Sequence, residues 1–267
     1  MIKIFGKVPN VILAGTVAKS NKECVDSCFD EDDCMLAFMN TDDECLLFGF
    51  NSTEKLTVIE TSREEGLIVA FKIKFPFDEC PDYNQLDLVV DIGEDEIIWK
   101  RKGNVLTFAK CMGDWKMFER ADSKVVCMQA FYFGNTILKE DARDYCEERG
   151  YKLTGVASAT ETRWIRDRIL ILAPEILTYR GFWIDGIRNC PESDYNCPNF
   201  VWSDNYTTGN DALTDMSAPL SGMNYAGTEK EECLTVAKME NPLWTVNDAI
   251  CRGSGYECGV VCGYQLL

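Results

Sequence analysis

Fourteen cysteines and no histidine stand in 267 residues. Their types and spacing set which chemistry is open to this chain. The cysteine count is even, which permits complete pairing, and the doublets of zinc ribbons are missing, so disulfides in an oxidising compartment are the natural reading. Bound zinc is the competing reading for the first four cysteines. Without histidine there is no Ser-His-Asp triad, no Cys-His dyad and no imidazole metal site. Catalysis would have to rest on carboxylates, tyrosines or lysines. The sequence has no Gly-rich phosphate loop, no G-x-S-x-G elbow and no zinc-hydrolase helix. It reads as a binding protein, not an enzyme.

The elements that would hold the cysteines follow from local pattern. Ser20-Asn21-Lys22-Glu23 offers a helix N-cap, followed by Cys24 and Cys28 one turn apart on one face. Cys34 and Cys45 sit beside the strand-like runs Met35–Met39 and Leu46–Phe48. Two cysteines at i and i+4 can reach successive strands, so the expected pairs are Cys28 with Cys34 and Cys24 with Cys45. Ile68 to Phe75 is expected to close this sheet as its last strand. Cys190 and Cys197 flank a short insertion and are expected to form a local bridge.

Net charge is -17, from 27 Lys plus Arg against 44 Asp plus Glu. Such a field repels phosphate backbones and anionic lipid headgroups, so neither nucleic acid nor a membrane surface is expected as a partner. The apolar run Ile169–Ala173 is far shorter than the ~20 residues of a membrane span. The start, Met1-Ile2-Lys3-Ile4-Phe5-Gly6, lacks the basic head and apolar core of a signal peptide. For a secreted, extracellular protein this means that the sequence is expected to begin near a mature N-terminus. Asn51-Ser52-Thr53 and Asn205-Tyr206-Thr207 are glycosylation acceptors, marking Asn51 and Asn205.

Composition changes between Pro76 and Pro81 and again near Cys111, which divides the chain into a small domain at 1–78, a structured connecting segment at 79–110 and a larger domain at 111–267. In the connector, Leu88–Asp91, Glu96–Trp99 and Val105–Phe108 look like strands, with a turn at Lys102-Gly103-Asn104. In the larger domain Leu138, Ala142 and Cys146 repeat on one helical face, with Gly150 as the stop. Ser158-Ala159-Thr160-Glu161 matches a capping box that opens a second helix through Trp164, Ile165 and Ile169.

Two family resemblances follow. The run Glu23-Cys24-Val25-Asp26-Ser27-Cys28-Phe29, with Cys34 and Cys45, resembles the core of a PAN/apple domain of the nematode kind that precedes lectin domains. That family implies a helix cradled by a small antiparallel sheet, and adhesion to protein or carbohydrate. From Cys111 on, the order Cys127, Phe182-Trp183-Ile184-Asp185-Gly186, Trp202-Ser203-Asp204, Glu232-Cys233, Asn247-Asp248-Ala249-Ile250-Cys251 and Val260-Val261-Cys262 resembles the C-type lectin-like domain. The expected fold is therefore α+β: a disulfide-stapled PAN-like unit, then a lectin-like fold with two helices, antiparallel sheets and a long loop.

The lectin resemblance implies bonds from Cys146 to Cys262, Cys233 to Cys251 and Cys111 to Cys127. Cys80 and Cys258 then remain by elimination, while Cys80 with Cys111 and Cys127 with Cys258 stays open as an alternative. The family commonly binds sugar through calcium, held by a Glu-Pro-Asn or Gln-Pro-Asp triplet, a loop glutamate and an Asn-Asp pair. Here Asn247, Asp248 and Glu231 or Glu232 match parts of that set, making Asn247, Asp248 and Glu232 candidate calcium ligands. Ala218-Pro219-Leu220 stands where the triplet's oxygens are needed, and Val246 takes the place of the usual tryptophan. The favoured reading of Asn247-Asp248 is therefore a set of buried hydrogen bonds leading into Cys251. Trp202, Tyr206, Tyr225 and Trp244 offer aromatic faces for a sugar or a protein. The expected function is secreted recognition of a glycan or an extracellular protein, with a degenerate calcium site; the alternative is a calcium-independent protein-interaction module. The resemblance also implies a part in innate immunity, as defence against microbes.

Overall fold

In the computed structural model the described residues are 1–9, 11, 17–18, 20–73, 88–92, 95–174, 179–191, 194, 197–214, 220–223, 227–239, 241 and 244–266. Tyr225, Cys80, Ala218 and Pro219 lie outside them, as do Lys74 and Phe75 of the expected closing strand. Two compact units make up the chain, Met1–Gly113 and Asp114–Leu266.

The first unit opens with β1 (Ile2–Lys7) and β2 (Val17–Ala18), then α1 (Asn21–Asp30). Ser20 caps α1 and Glu23 returns its carboxylate to the Ser20 backbone, so both halves of a capping box are made. The buried Cys24, Val25 and Cys28 face β3 (Cys34–Met39) and β4 (Glu44–Gly49), to which Cys28–Cys34 and Cys24–Cys45 tie the helix. β5 (Lys55–Glu60) and β6 (Ile68–Phe71) follow, then β7 (Val89–Ile92), β8 (Asp95–Ile98), β9 (Lys100–Lys102) and β10 (Val105–Ala109).

Eight of these strands form one sheet in the order β2-β4-β3-β6-β1-β5-β10-β9, while β7 and β8 pair as a hairpin. Three expectations change here. The sheet is larger than a small one cradling a helix, so this unit is sheet-dominated, with one α-helix among its described residues. β6 is an interior strand between β3 and β1, because Val69, Ala70 and Phe71 are all fully buried and need cover on both faces. Part of the segment read as a connector belongs to this sheet. β10 pairs with β5 from Val105↔Ile59 to Ala109↔Lys55, and Trp99 packs edge-on to Phe71 with ring centroids 4.9 Å apart. The run Val105–Ala109 alternates buried and half-buried positions, as a sheet strand does.

In the second unit β11 (Lys116–Glu119) and β12 (Val125–Tyr132) lead to α2 (Lys139–Glu147), β13 (Lys152–Leu153) and α3 (Ala159–Leu172). β14 (Arg180–Arg188), β15 (Phe200–Val201), α4 (Asp211–Thr214), β16 (Cys233–Lys238), β17 (Val246–Ala249) and β18 (Glu257–Leu266) complete it. Its sheet runs β11-β12-β18-β14-β16-β17, with β14 and β18 parallel and the remaining neighbours antiparallel. α3 packs through Ile165 and Ile169 on the core that holds Phe182, Ile184, Leu234 and Val261.

Ala142 and Cys146 form the buried face of α2, but Leu138 is its N-cap and is 46% exposed. Ser158 caps α3, yet Glu161 does not complete the expected box. Its carboxylate accepts from Ala157 N at 2.7 Å and pairs with the buried Arg120 at 3.0 Å. Cys146–Cys262 joins α2 to β18, Cys233–Cys251 joins β16 to the turn after β17, and Cys190–Cys197 closes the local insertion. Cys111 and Cys127 are also disulfide-bonded. Cys258 is a free, buried thiol in the apolar core of this unit, which removes the expected pair with Cys80 and the alternative pair with Cys127.

Candidate functional site

Successive side chains of a strand point to opposite faces, and β17 uses this to separate Asn247 from Asp248. Opposite Leu234 in the ladder, Asp248 is 1% exposed. One carboxylate oxygen accepts from Arg188 Nη2 at 2.7 Å and from the backbone N–H of Gly222 at 2.8 Å. Asn247, opposite Thr235, donates its amide N–H to the Tyr179 hydroxyl at 3.3 Å and to the Asp248 carbonyl at 2.6 Å. The Tyr179 hydroxyl lies 3.0 Å from that of Thr235, and burial pushes it up to about 12.

Arg188 ends β14 and has its other donors engaged as well. Nε donates to the Glu231 carbonyl at 3.2 Å and Nη1 to the Cys197 carbonyl at 2.6 Å, and the guanidinium lies 4.7 Å from the Phe200 ring centroid. A planar fork held by three hydrogen bonds to three different residues is a rigid, oriented cation. It sits against the carboxylate that a calcium ion would need. Even so, burial holds Asp248 above the usual carboxylate range, outweighing the Gly222 hydrogen bond and the Arg188 charge that draw it down. Glu231 is pushed up to about 7, by burial first and then by the Asp248 charge. Glu232 is exposed, and its carbonyl accepts from Arg188 N at 2.7 Å.

Among the described residues, those present do not fit calcium. The ion takes about 6–8 oxygen ligands, and the best-placed carboxylate here is already neutralised by an internal arginine. No group of three His, Cys, Asp or Glu able to hold a metal occurs among the described residues. Asp248 is held by buried hydrogen bonds, and Asn247 by partly buried ones, in the described residues.

The aromatic candidates separate by burial. Tyr206 is core, and Trp202 packs against the same core while its indole N–H donates to the Gly209 carbonyl at 2.7 Å. Trp244, 36% exposed before β17, is the member of the set that keeps an open face among the described residues. Asn51 and Asn205 are both exposed, and Asn205 has a positive φ of 70°. Thr207 of the second acceptor triplet is buried, donating to Asp204 at 2.6 Å and accepting from Arg120 at 2.8 Å.

Sequence reasoning missed Arg188, the Arg120–Glu161 pair and Lys139, because a charged residue inside an element reads as solvated. Arg188 ends a strand whose Phe182, Trp183 and Ile184 are fully buried. A long charged side chain ending such a strand is the one signal that pointed inward.

Residues 1–73 match the family model described as PAN-like domain. The sequence has no match among curated proteins. Among solved structures the chain is similar to the cow C-type carbohydrate-recognition domain of CD23, at 21% identity over 59% of this chain and 98% of that one, with a TM-score of 0.39. It is also similar to the calcium-independent C-type lectin SPL-2 of Saxidomus purpuratus, at 19% identity over 56% and 90%, with a TM-score of 0.37. Human lithostathine follows at 13% identity over 59% and 92%, with a TM-score of 0.39. The chain thus carries, over residues 1–73, a match to the PAN-like domain.

Proposed function

We propose that this chain is an extracellular recognition protein whose second unit uses a C-type lectin-like frame to bind a glycan or protein ligand without calcium. The frame reading is supported by two helices packed beside a mixed sheet, and by Cys146–Cys262 and Cys233–Cys251, the two bonds that the lectin resemblance implies. Paired cysteines are typical of oxidising compartments. No helix among the described residues is long and apolar enough to cross a membrane. A PAN-like first unit supports adhesion over catalysis.

The observation that carries the proposal is the Arg188–Asp248 ion pair, whose side chains are 3% and 2% exposed. A guanidinium there supplies permanently the positive charge that an exchangeable cation supplies elsewhere. Binding is then independent of calcium concentration and of chelator. Glycan and extracellular-protein arrays probed with the disulfide-intact chain, in calcium and in EDTA, test this. Equal retention in both buffers is expected, and ligand retention abolished by EDTA would overturn the proposal. Retention on proteins alone would assign the site to protein recognition.

A further inference from the structure

A cleft in the Asp114–Leu266 unit is lined by Ile187 but by neither Arg188 nor Asp248. About 470 Å³ in volume, it is within the range of small-molecule sites, and the N-terminus of α2, the middle of β14 and the Cys233–Cys251 bridge enclose it. Lys139 is its main polar feature. Although 8% exposed, its ammonium makes one hydrogen bond among the described residues, donating to the Gly186 carbonyl at 2.6 Å. An ammonium has three N–H donors, and a buried one is costly unless a counter-charge meets it. The nearby Asp185 offsets part of that cost through its charge, while its oxygens accept from Ser203 N, from Ser203 Oγ at 2.9 Å and from Asp204 N at 3.0 Å. Burial consequently lowers Lys139 to about 8; Asp185 opposes that shift and Arg143 adds to it.

The lining selects the ligand. Arg252 at the cleft is ion-paired to Glu229, and Arg143 lies 3.8 Å from both Glu140 and Asp144, so the buried Lys139 ammonium, with one of its three donors engaged among the described residues, is the cation best able to take a ligand. Leu138 and Ile187 line the cleft and are 46% and 45% exposed, so an apolar wall stands beside the charge. We propose that this cleft binds a small amphipathic carboxylate, its anionic end on Lys139 and Arg143 and its apolar body against Leu138 and Ile187. A monoanion matches the single Lys139 ammonium, whereas a phosphate dianion would be repelled by Glu140 and Asp185. Calcium plays no part, and the site stands or falls independently of the Arg188–Asp248 reading.

Calorimetric titration of the disulfide-intact full chain with benzoate, benzamide and inorganic phosphate tests this, with EDTA present throughout. Benzoate is expected to bind at least tenfold more tightly than benzamide or phosphate. Lys139→Met should weaken benzoate at least tenfold. Arg143→Gln, a change on the half-exposed surface of α2, should leave the melting temperature unaltered and weaken benzoate at least threefold. In ¹³Cε-lysine NMR, benzoate should raise the Lys139 pKa from about 8, since an anion favours the charged form. No binding of any probe, equal binding of benzoate and benzamide, preference for phosphate, or unchanged affinity in Arg143→Gln would overturn the proposal.

Discussion

Arg188→Met leaves Asp248 buried at 1% exposure with the Gly222 N–H still donating to it but its counter-charge gone, and it also frees the Glu231 and Cys197 carbonyls. Removing one member of a buried ion pair costs about 3–5 kcal/mol, mostly from the uncompensated charge left behind. For a domain of this size each kcal/mol moves the melting temperature by roughly 2–4 °C, so a fall of roughly 6–20 °C is expected for the second unit. The double variant Arg188→Met/Asp248→Leu removes both charges and should recover most of that loss, giving a large coupling energy in the cycle. Thermal melts by circular dichroism, with disulfides intact and calcium absent, read this directly. The single variant should also regain stability at acid pH, where Asp248 is protonated. A drop under about 1 kcal/mol, or a double variant no better than the single one, would refute the claim that Arg188 is the built-in counter-ion of Asp248.

Three further outcomes follow from the same geometry. Loss of Cys146–Cys262, which spans 116 residues, should cost about 5 kcal/mol by the chain-entropy estimate against about 3 for Cys233–Cys251, which spans 18; denaturant titration of the two double-alanine variants checks the order. Gly186 has φ +106° and a Cβ there would lie 2.7 Å from Leu234 Cδ1, so Gly186→Ala should destabilise by at least the ~1–3 kcal/mol of overpacking. Gly103→Ala, with open space around it, should pay only the smaller strain of its positive φ, and paired melts compare the two. Glu231, at about 7 in the fold against its ordinary 4.5, holds its proton more tightly when folded. Its contribution is therefore fully present below about pH 4.5 and lost as pH rises through about 7, so the stability difference between wild type and Glu231→Gln should change across that window. A difference that stays flat from pH 4.5 to 7.5 would remove the titration from Glu231.

Local chemistry was the legible part of this chain. Ser20 and Ser158 cap their helices because a side-chain oxygen and free backbone N–H groups meet within four residues, and sequence contains both partners. The pairs Cys24–Cys45 and Cys28–Cys34 follow from one helical turn facing two adjacent strands. Long-range pairing was less legible. The strand Val105–Ala109 could be read, but that it pairs with Lys55–Glu60 depends on a register between segments about fifty residues apart. Cys258 looked like a partner for Cys80 because counting treats every cysteine alike, whereas its place in β18 directs the thiol into an apolar core. At the candidate site, sequence favoured buried hydrogen bonds for Asn247-Asp248, and the described residues place Asp248 in such bonds; the Ala218-Pro219 segment lies outside the described residues. Sequence could not find Arg188, which comes from a different strand sixty positions away.

The most direct test of calcium-independent recognition is isothermal calorimetry of the disulfide-intact chain with calcium chloride, with thermal melts in parallel. Because Arg188 already occupies the Asp248 carboxylate, no saturable heat and no rise in melting temperature are expected up to millimolar calcium. Saturable binding with a clear rise in melting temperature, lost in Asp248→Asn, would contradict the account and restore a calcium-held ligand site.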